Sequence, residues 1–219
     1  MFNYTMQKTA IIALNGNLQD NAKEYESIIE KGDIFIAADG GSILFFKLGY
    51  NPDIIIGDLD SLSEEKLDYF QKKGVKIKKF PAEKDETDGE LALTYCNKNK
   101  FSNIILTNTM GGRLDHQLAN IFLLEYALEL GLKANIQEPN LEIGIINNKK
   151  KFYNHQECTL SILPLSERVF NVRNDGFKYS LNGENLLRHK TRGISNIINN
   201  KNATIFVEKG RLLYILTTK

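Results

Sequence analysis

Cysteine is scarce in this chain: 219 residues contain two, Cys96 and Cys158. They form no Cys-x-x-Cys pair, which excludes a thiolate metal knuckle, and two cannot staple a secreted scaffold. A reducing, cytoplasmic compartment is therefore expected. An excess of charge is also missing. Lys and Arg number 28 against 27 Asp and Glu, a formal net charge of +1. No global field then recruits nucleic acid or an anionic membrane surface. Long apolar runs are absent too, whereas a membrane span needs about 20 such residues. The N-terminal run Ala10–Leu14 ends at Asn15-Gly16 without a small-residue cleavage site, so it reads as a buried strand and not a signal peptide. What remains, 42% hydrophobic and 25% charged, is an ordinary soluble composition, long enough for one large domain or two modest ones.

From Thr9 to about Gln137, short apolar runs (10–14, 34–38, 54–56, 75–77, 104–106 and 134–136) alternate with helix-like segments. That alternation predicts a mostly parallel, Rossmann-like sheet covered on both faces, an α/β domain in three layers. Ser61 with Glu64 and Thr87 with Glu90 have capping-box spacing, and Gly74 and Gly131 mark helix ends. The helix over 115–130 is expected to bury Leu118, Ile121, Phe122, Leu124 and Leu128. Around Glu138-Pro139-Asn140 the texture changes. The runs 141–146, 158–163, 203–207 and 212–216, separated by Asn, Gly and Lys clusters, predict a small all-β sandwich. The expected division is 1–138 and 139–219.

Polar clusters follow the strands of the first domain, where an open α/β sheet binds ligands. They are Asp39-Gly40-Gly41, Gly57-Asp58-Leu59-Asp60-Ser61, Lys84-Asp85-Glu86-Thr87-Asp88 and Gly111-Gly112-Arg113-Leu114-Asp115-His116. Asp58 and Asp60, two residues apart in an extended segment, would share one side. Like charges so placed favour a hard cation such as magnesium, which also binds phosphates. The plainer alternative is a helix cap and a solvated carboxylate. Asp88 could join such a cluster or simply complement a helix start, and Lys84 could neutralise phosphate or sit in a solvated turn. Gly111-Gly112 and Arg113 suit a phosphate, or form a glycine turn with Asp115 as the cap. His116 reads better as a helix-surface residue than as a catalyst. Asp39-Gly40-Gly41 alone marks many turns.

In this order and spacing the segments resemble the thiamine pyrophosphokinase family. The matching residues are Ala38–Gly41, Pro52-Asp53, Gly57–Ser61, Pro81, Lys84-Asp85, Thr87-Asp88 and Gly111–His116, then Gly193-Ile194-Ser195-Asn196 and Gly210–Tyr214, nearly the whole chain. The resemblance implies an ATP- and magnesium-binding α/β domain, a thiamine-binding sandwich, and a homodimer with active sites between subunits. It implies transfer of the pyrophosphoryl group of ATP to thiamine, releasing AMP. By position, Asp58, Asp60, Asp88 and Asp115 would hold Mg2+. Asp39, Gly40, Gly41, Lys84, Gly111, Gly112 and Arg113 would bind ATP, and Ser195, Asn196 and Tyr214 would bind thiamine, with Tyr214 stacking on it. Animal members carry Trp where Tyr214 aligns, and this chain has no Trp. Rival readings are another magnesium-dependent kinase or nucleotidyltransferase, and a non-catalytic thiamine or nucleotide sensor.

Overall fold

A strand that is apolar at every position must be covered on both faces. The first half of the chain satisfies this with β1 (Thr9–Ala13), β2 (Ile34–Ala38), β3 (Ile54–Gly57), β4 (Lys76–Lys79), β5 (Asn103–Thr107) and β6 (Lys133–Glu138). The structure is a computed structural model and describes residues 8–18 and 21–218. Its chain divides into two compact units between Pro139 and Asn140.

In the first unit the six strands pair in parallel in the order β6-β5-β1-β2-β3-β4. Sequence order therefore reverses at β1, the switch point beside which sheets of this kind bind ligands. One face of the sheet, with Ile11, Ala13, Ala37 and Ile55, packs against α1 (Glu26–Ile29), α2 (Ser42–Leu48) and α3 (Glu64–Lys72) through Ile28, Ile29, Leu44, Phe45 and Phe70. Alternate residues such as Ile12, Ile36, Ile54 and Leu106 are equally buried on the other face, where α4 (Asp88–Lys98) meets β1, β2 and β3. Beside it, α5 (Leu114–Glu129) packs on α4 and β6. The three-layer expectation holds.

Two local expectations need correction. Ser61 does not cap α3. The helix begins at Glu64 after Ser63, because residues 58–62 turn back on themselves, with Leu59 at φ 71° and Leu62 N–H donating to Leu59 O at 3.3 Å. The buried face of α5 is Leu123, Leu124 and Ala127, whereas Leu118 and Phe122 are exposed. This helix is apolar nearly all round, so periodicity could not choose which side faces β6. The Thr87–Glu90 capping box is present: Glu90 N–H donates to Thr87 Oγ1 (3.3 Å), and Thr87 N–H to Glu90 Oε2 (2.6 Å).

The second unit consists of β7 (Leu141–Ile146), β8 (Lys149–Tyr153), β9 (Thr159–Pro164), β10 (Arg168–Asp175), β11 (Asn182–Leu187), β12 (Asn196–Ile197), β13 (Asn202–Phe206) and β14 (Leu212–Thr217). They form two antiparallel sheets, ordered β12-β9-β14-β7 and β11-β10-β13-β8. Their shared core includes Phe152, Leu160, Ile162, Val172, Ile205 and Tyr214. The sandwich was legible from β7, β9, β13 and β14. Strands β10 and β11 were not, because polar residues and register shifts break their alternation. Among the described residues, no helix is long and apolar enough to cross a membrane.

Candidate functional site

The carboxyl ends of β2 and β3 lie side by side, because the two strands pair in register from Ile36 with Ile54 to Ala38 with Ile56. Their loops therefore deliver Asp39, Asp58 and Asp60 together, with one carboxylate oxygen of each within 4.8 Å of the others. The closeness of Asp58 and Asp60 does not come from strand alternation, as expected. It comes from the turn, in which Asp60 N–H donates to Asp58 Oδ1 at 3.1 Å. Gly57 sits beneath the group. A Cβ there would lie 2.9 Å from Asp39 Cβ and 3.1 Å from Asp88 Oδ2, so only glycine admits both side chains.

Asp88, the first residue of α4, closes the cluster. Lys84 is its counterion, with Nζ 3.1 Å from Asp88 Oδ1 and 3.9 Å from Asp58 Oδ2, although no aligned hydrogen bond reaches that Asp88 oxygen. Burial pushes the Asp39 carboxyl above its ordinary range, and the neighbouring Asp88 and Asp60 add to the shift while Ser61 and the Gly40 amide oppose it. Burial raises Asp88 too, against the pull of Lys84. Asp39 is only 5% exposed, and its Oδ1 has no hydrogen-bond partner. Buried, mutually repelling carboxylates with an unused oxygen suit a small hard cation. Ser61, freed from capping, donates from Oγ to Asp60 Oδ1 (3.2 Å) and accepts from Asn15 Nδ2 (3.3 Å).

These groups line a cleft of about 550 Å³, with Asn15 on one side and Asp115, His116, Asn120 and Leu123 of α5 on another. Asp115 thus reaches the cleft but stands apart from the three-carboxylate group. Arg113 holds it instead, through Nη2 to Oδ2 at 2.6 Å and Nε to Oδ1 at 3.1 Å, and keeps its carboxyl below the usual range. Arg113 is 72% exposed, as its pairing with a surface carboxylate requires, and Gly111 and Gly112 are exposed with it. Arg113, not Asp115, precedes the first turn of α5. Gly40 and Gly41 are buried. A Cβ on Gly41 would lie 1.9 Å from Ala13 O, so close packing of backbone already explains that residue.

In the second unit, Tyr214 is 2% exposed. Its hydroxyl donates to Glu142 Oε1 at 2.5 Å, its ring meets Phe152 edge-on, and Lys150 Nζ lies 5.0 Å from its centroid. The ring is enclosed by its own sheet and neighbours, which corrects the expectation that it stacks on a ligand. Asn196 spends its amide on the Tyr179 backbone, accepting from Tyr179 N (3.0 Å) and donating to Tyr179 O (2.7 Å). Ser195 adopts φ 56° and donates its N–H to Ser161 Oγ. The loop thus fixed places Tyr179, 59% exposed, on a cavity of about 170 Å³ shared with Ser180, Arg192, Gly193, Ile194 and Asn196.

Residues 25–136, half of the chain, match the description "Thiamin pyrophosphokinase, catalytic domain". The chain belongs to the thiamin pyrophosphokinase family. Residues 145–212 match that family's vitamin B1 binding domain. A Bacillus subtilis protein named thiamine pyrophosphokinase is 30% identical over 193 residues, 84% of this chain and 87% of that one. An Arabidopsis thaliana relative, thiamine pyrophosphokinase 2, is 24% identical over 73% of this chain and 59% of its own length. The crystal structure of a Bacillus subtilis thiamine pyrophosphokinase aligns over 97% of this chain and 100% of its own, at TM-score 0.86 and 25% identity. Yeast thiamin pyrophosphokinase, at 18% identity and TM-score 0.79, shares the fold over 98% of this chain and 87% of its own. The acidic cluster falls within the part matching the family's catalytic domain, and the Tyr179 cavity within the part matching its vitamin-binding domain. Asn15, Ser61 as a bridge and Arg192 were missed in the sequence, and Tyr179 stood only as a fallback to Tyr214. Asn15 had a signal, since it follows a strand as the acidic loops do. Tyr179 had only its aromatic ring as a signal, because β11 and β12 were themselves unread.

Proposed function

We propose that this chain transfers the pyrophosphoryl group of ATP to the hydroxyl of thiamine, giving thiamine diphosphate and AMP. The carrying observation is the convergence of Asp39, Asp58 and Asp60 within 4.8 Å at the sheet's carboxyl edge, inside a cleft large enough for a polyphosphate. Asp39, Asp58 and Asp60 would hold Mg2+, with Asp88 beside them through Lys84 and Asp115 elsewhere on the cleft's lining; this differs from the set Asp58, Asp60, Asp88 and Asp115 in taking Asp39, whose carboxylate lies with those of Asp58 and Asp60. When bound, the cation neutralises charge on the transferring phosphates.

The chain's own residues do the rest. Lys84, anchored to Pro81 O at 3.2 Å, keeps a cation beside the carboxylates and within reach of a phosphate oxygen. The exposed Arg113 loop carries a guanidinium able to grip a phosphate once it leaves Asp115. A carboxylate of the cleft accepts the thiamine hydroxyl proton as the oxygen attacks phosphorus in line with departing AMP. Tyr179 and Arg192 flank the thiamine ring in the second unit's cavity, with Ser195 and Asn196 shaping its loop.

A homodimer with shared sites is part of the proposal. The exposed apolar residues Leu114, Leu118 and Phe122, spaced one helical turn apart on α5 beside the cleft, support it. The buried free thiols Cys96 and Cys158 support a reducing, cytoplasmic compartment, with burial pushing Cys96 up to about 12. The test is incubation with ATP, magnesium and thiamine, with both products identified. Thiamine diphosphate and AMP are expected. ADP, or free pyrophosphate without thiamine diphosphate, would move the chain to a rival reaction.

A further inference from the structure

Between β5 and the Arg113 loop lies a short turn, residues 108–110, that belongs to neither β5 nor α5. The backbone ladder of β5 with β6 ends at Leu106 beside Ile136. Beyond it side chains take over. Thr107 Oγ1 donates to Gln137 O at 2.7 Å, and the next residue of β6, Glu138, takes hold of the turn itself. Its Oε1 accepts from both the N–H (2.6 Å) and the hydroxyl (2.7 Å) of Thr109, while its Oε2 accepts from the Tyr25 hydroxyl at 2.6 Å. Thr109 is 1% exposed, so removing the Glu138 carboxylate would strand two buried donors.

Tyr25 fixes the carboxylate in turn. It is buried in the first unit's core, and burial together with Glu138 raises its hydroxyl above the ordinary range, so it stays a donor. These three donors are neutral, so the carboxylate serves them as a geometric fork and not as half of an ion pair. The turn is tied on its other sides as well. Asn120 of α5, on the lining of the acidic cleft, donates from Nδ2 to Thr109 O at 2.8 Å, and Asn17 N–H donates to Met110 O at 2.9 Å. From there Gly111 and Gly112, at φ 85° and 73°, lead to the exposed Arg113. The place from which Arg113 reaches out is thus set at Thr109, and Thr109 is set by Glu138. We propose that Glu138 is a positioning residue for the phosphates, holding the Thr109 turn so that the Arg113 loop starts from a fixed point beside the cleft.

This role rests on the proposed use of ATP, and two readouts separate them. Wild type, Glu138→Ala, Glu138→Gln, Arg113→Ala and the double variant Glu138→Ala/Arg113→Ala are compared in steady-state turnover of ATP and thiamine. The same proteins are titrated calorimetrically with inorganic triphosphate and magnesium. Glu138→Ala should reduce kcat/KM for ATP about ten- to a hundredfold, with thiamine KM within about twofold of wild type. Glu138→Gln, which keeps an acceptor for Thr109 and offers Tyr25 a donor, should return turnover to within about threefold of wild type. In the Arg113→Ala background, removing Glu138 should cost about threefold or less, because the two act through one loop. Triphosphate binding should weaken alike in Glu138→Ala and Arg113→Ala. Unchanged ATP kinetics, losses that multiply in the double variant, or no rescue by glutamine would overturn the role. If Glu138→Ala does not fold, Thr109→Val removes one of the two Thr109 bonds and keeps its bulk. Its loss in kcat/KM for ATP, about threefold or more, must again vanish in the Arg113→Ala background. Weakened triphosphate binding in Glu138→Ala, without thiamine diphosphate formation by wild type, would uphold the role and sink the proposed reaction.

Discussion

Asp39 holds an ionisable group in a place that disfavours ionisation, with burial and two neighbouring carboxylates acting together. Its folded-state pKa lies above the unfolded value. Its contribution to stability is thus fully present below the unfolded value, about 3.9, and is lost as pH rises through the raised folded one. In metal-free protein, Asp39→Asn should remove that loss, so the variant should gain stability over wild type as pH rises toward neutral. Thermal melts of both proteins between pH 4 and 7.5 check this, and equal slopes would refute it. The same variant, like Asp58→Asn, should lower kcat by roughly a hundred- to a thousandfold, as loss of one charge-stabilising contact does. The second unit offers a residue-scale contrast. Tyr214→Leu should destabilise by about 2–4 kcal/mol through a cavity and an unpaired Glu142, leaving thiamine KM within twofold. Tyr179→Leu should melt normally but raise thiamine KM about two- to thirtyfold, the range of a cation over an aromatic face. Reversal of that pattern would return Tyr214 to the site. Sequence reasoning put Tyr214 ahead of Tyr179, because the strand pattern of Leu212–Leu216 is the same whether its ring meets a ligand or Phe152.

At the scale of elements, the informative helix is α4. Its capping box fixes the first turn, and Asp88 is the residue that follows the cap. Thr87→Ala should therefore cost about 1 kcal/mol of stability and, by loosening Asp88, reduce kcat more than it raises thiamine KM. Chemical denaturation with steady-state kinetics checks both effects. A stability loss with unchanged kcat would separate the cap from the site. This box was readable because both partners lie within one turn. The supposed Ser61 box had the same spacing and failed, since Leu59 at φ 71° begins a turn that carries Ser61 toward Asp60 and Asn15. Spacing proposes a cap, but the backbone leading into the helix decides it.

For the whole molecule, the exposed Leu114, Leu118 and Phe122 stripe and the separation of cleft and Tyr179 cavity into different units lead to a test of shared sites. Asp58→Asn and Ser180→Trp, which fills the second unit's cavity, should each be inactive alone. If sites are shared between subunits, random exchange should restore about a quarter of sites, since each mixed dimer assembles one intact pair. No recovery despite verified exchange would rule the arrangement out.

The sequence by itself determined the two architectures and the position of each polar loop at the carboxyl edge. Continuous apolar runs demand covering on both faces, alternating runs on one, and parallel strands send every β-to-α loop to the same edge. Only the tertiary structure decided which side chains meet. Asp39 joins Asp58 and Asp60 because β2 and β3 pair in register, while Asp115, equally acidic and equally placed after a strand, is held by Arg113. Asn15 and Asn108 are 93 residues apart in the chain and share a cavity solely because β5 returns beside β1. Such pairings depend on strand order, and a local pattern of residues carries no record of it.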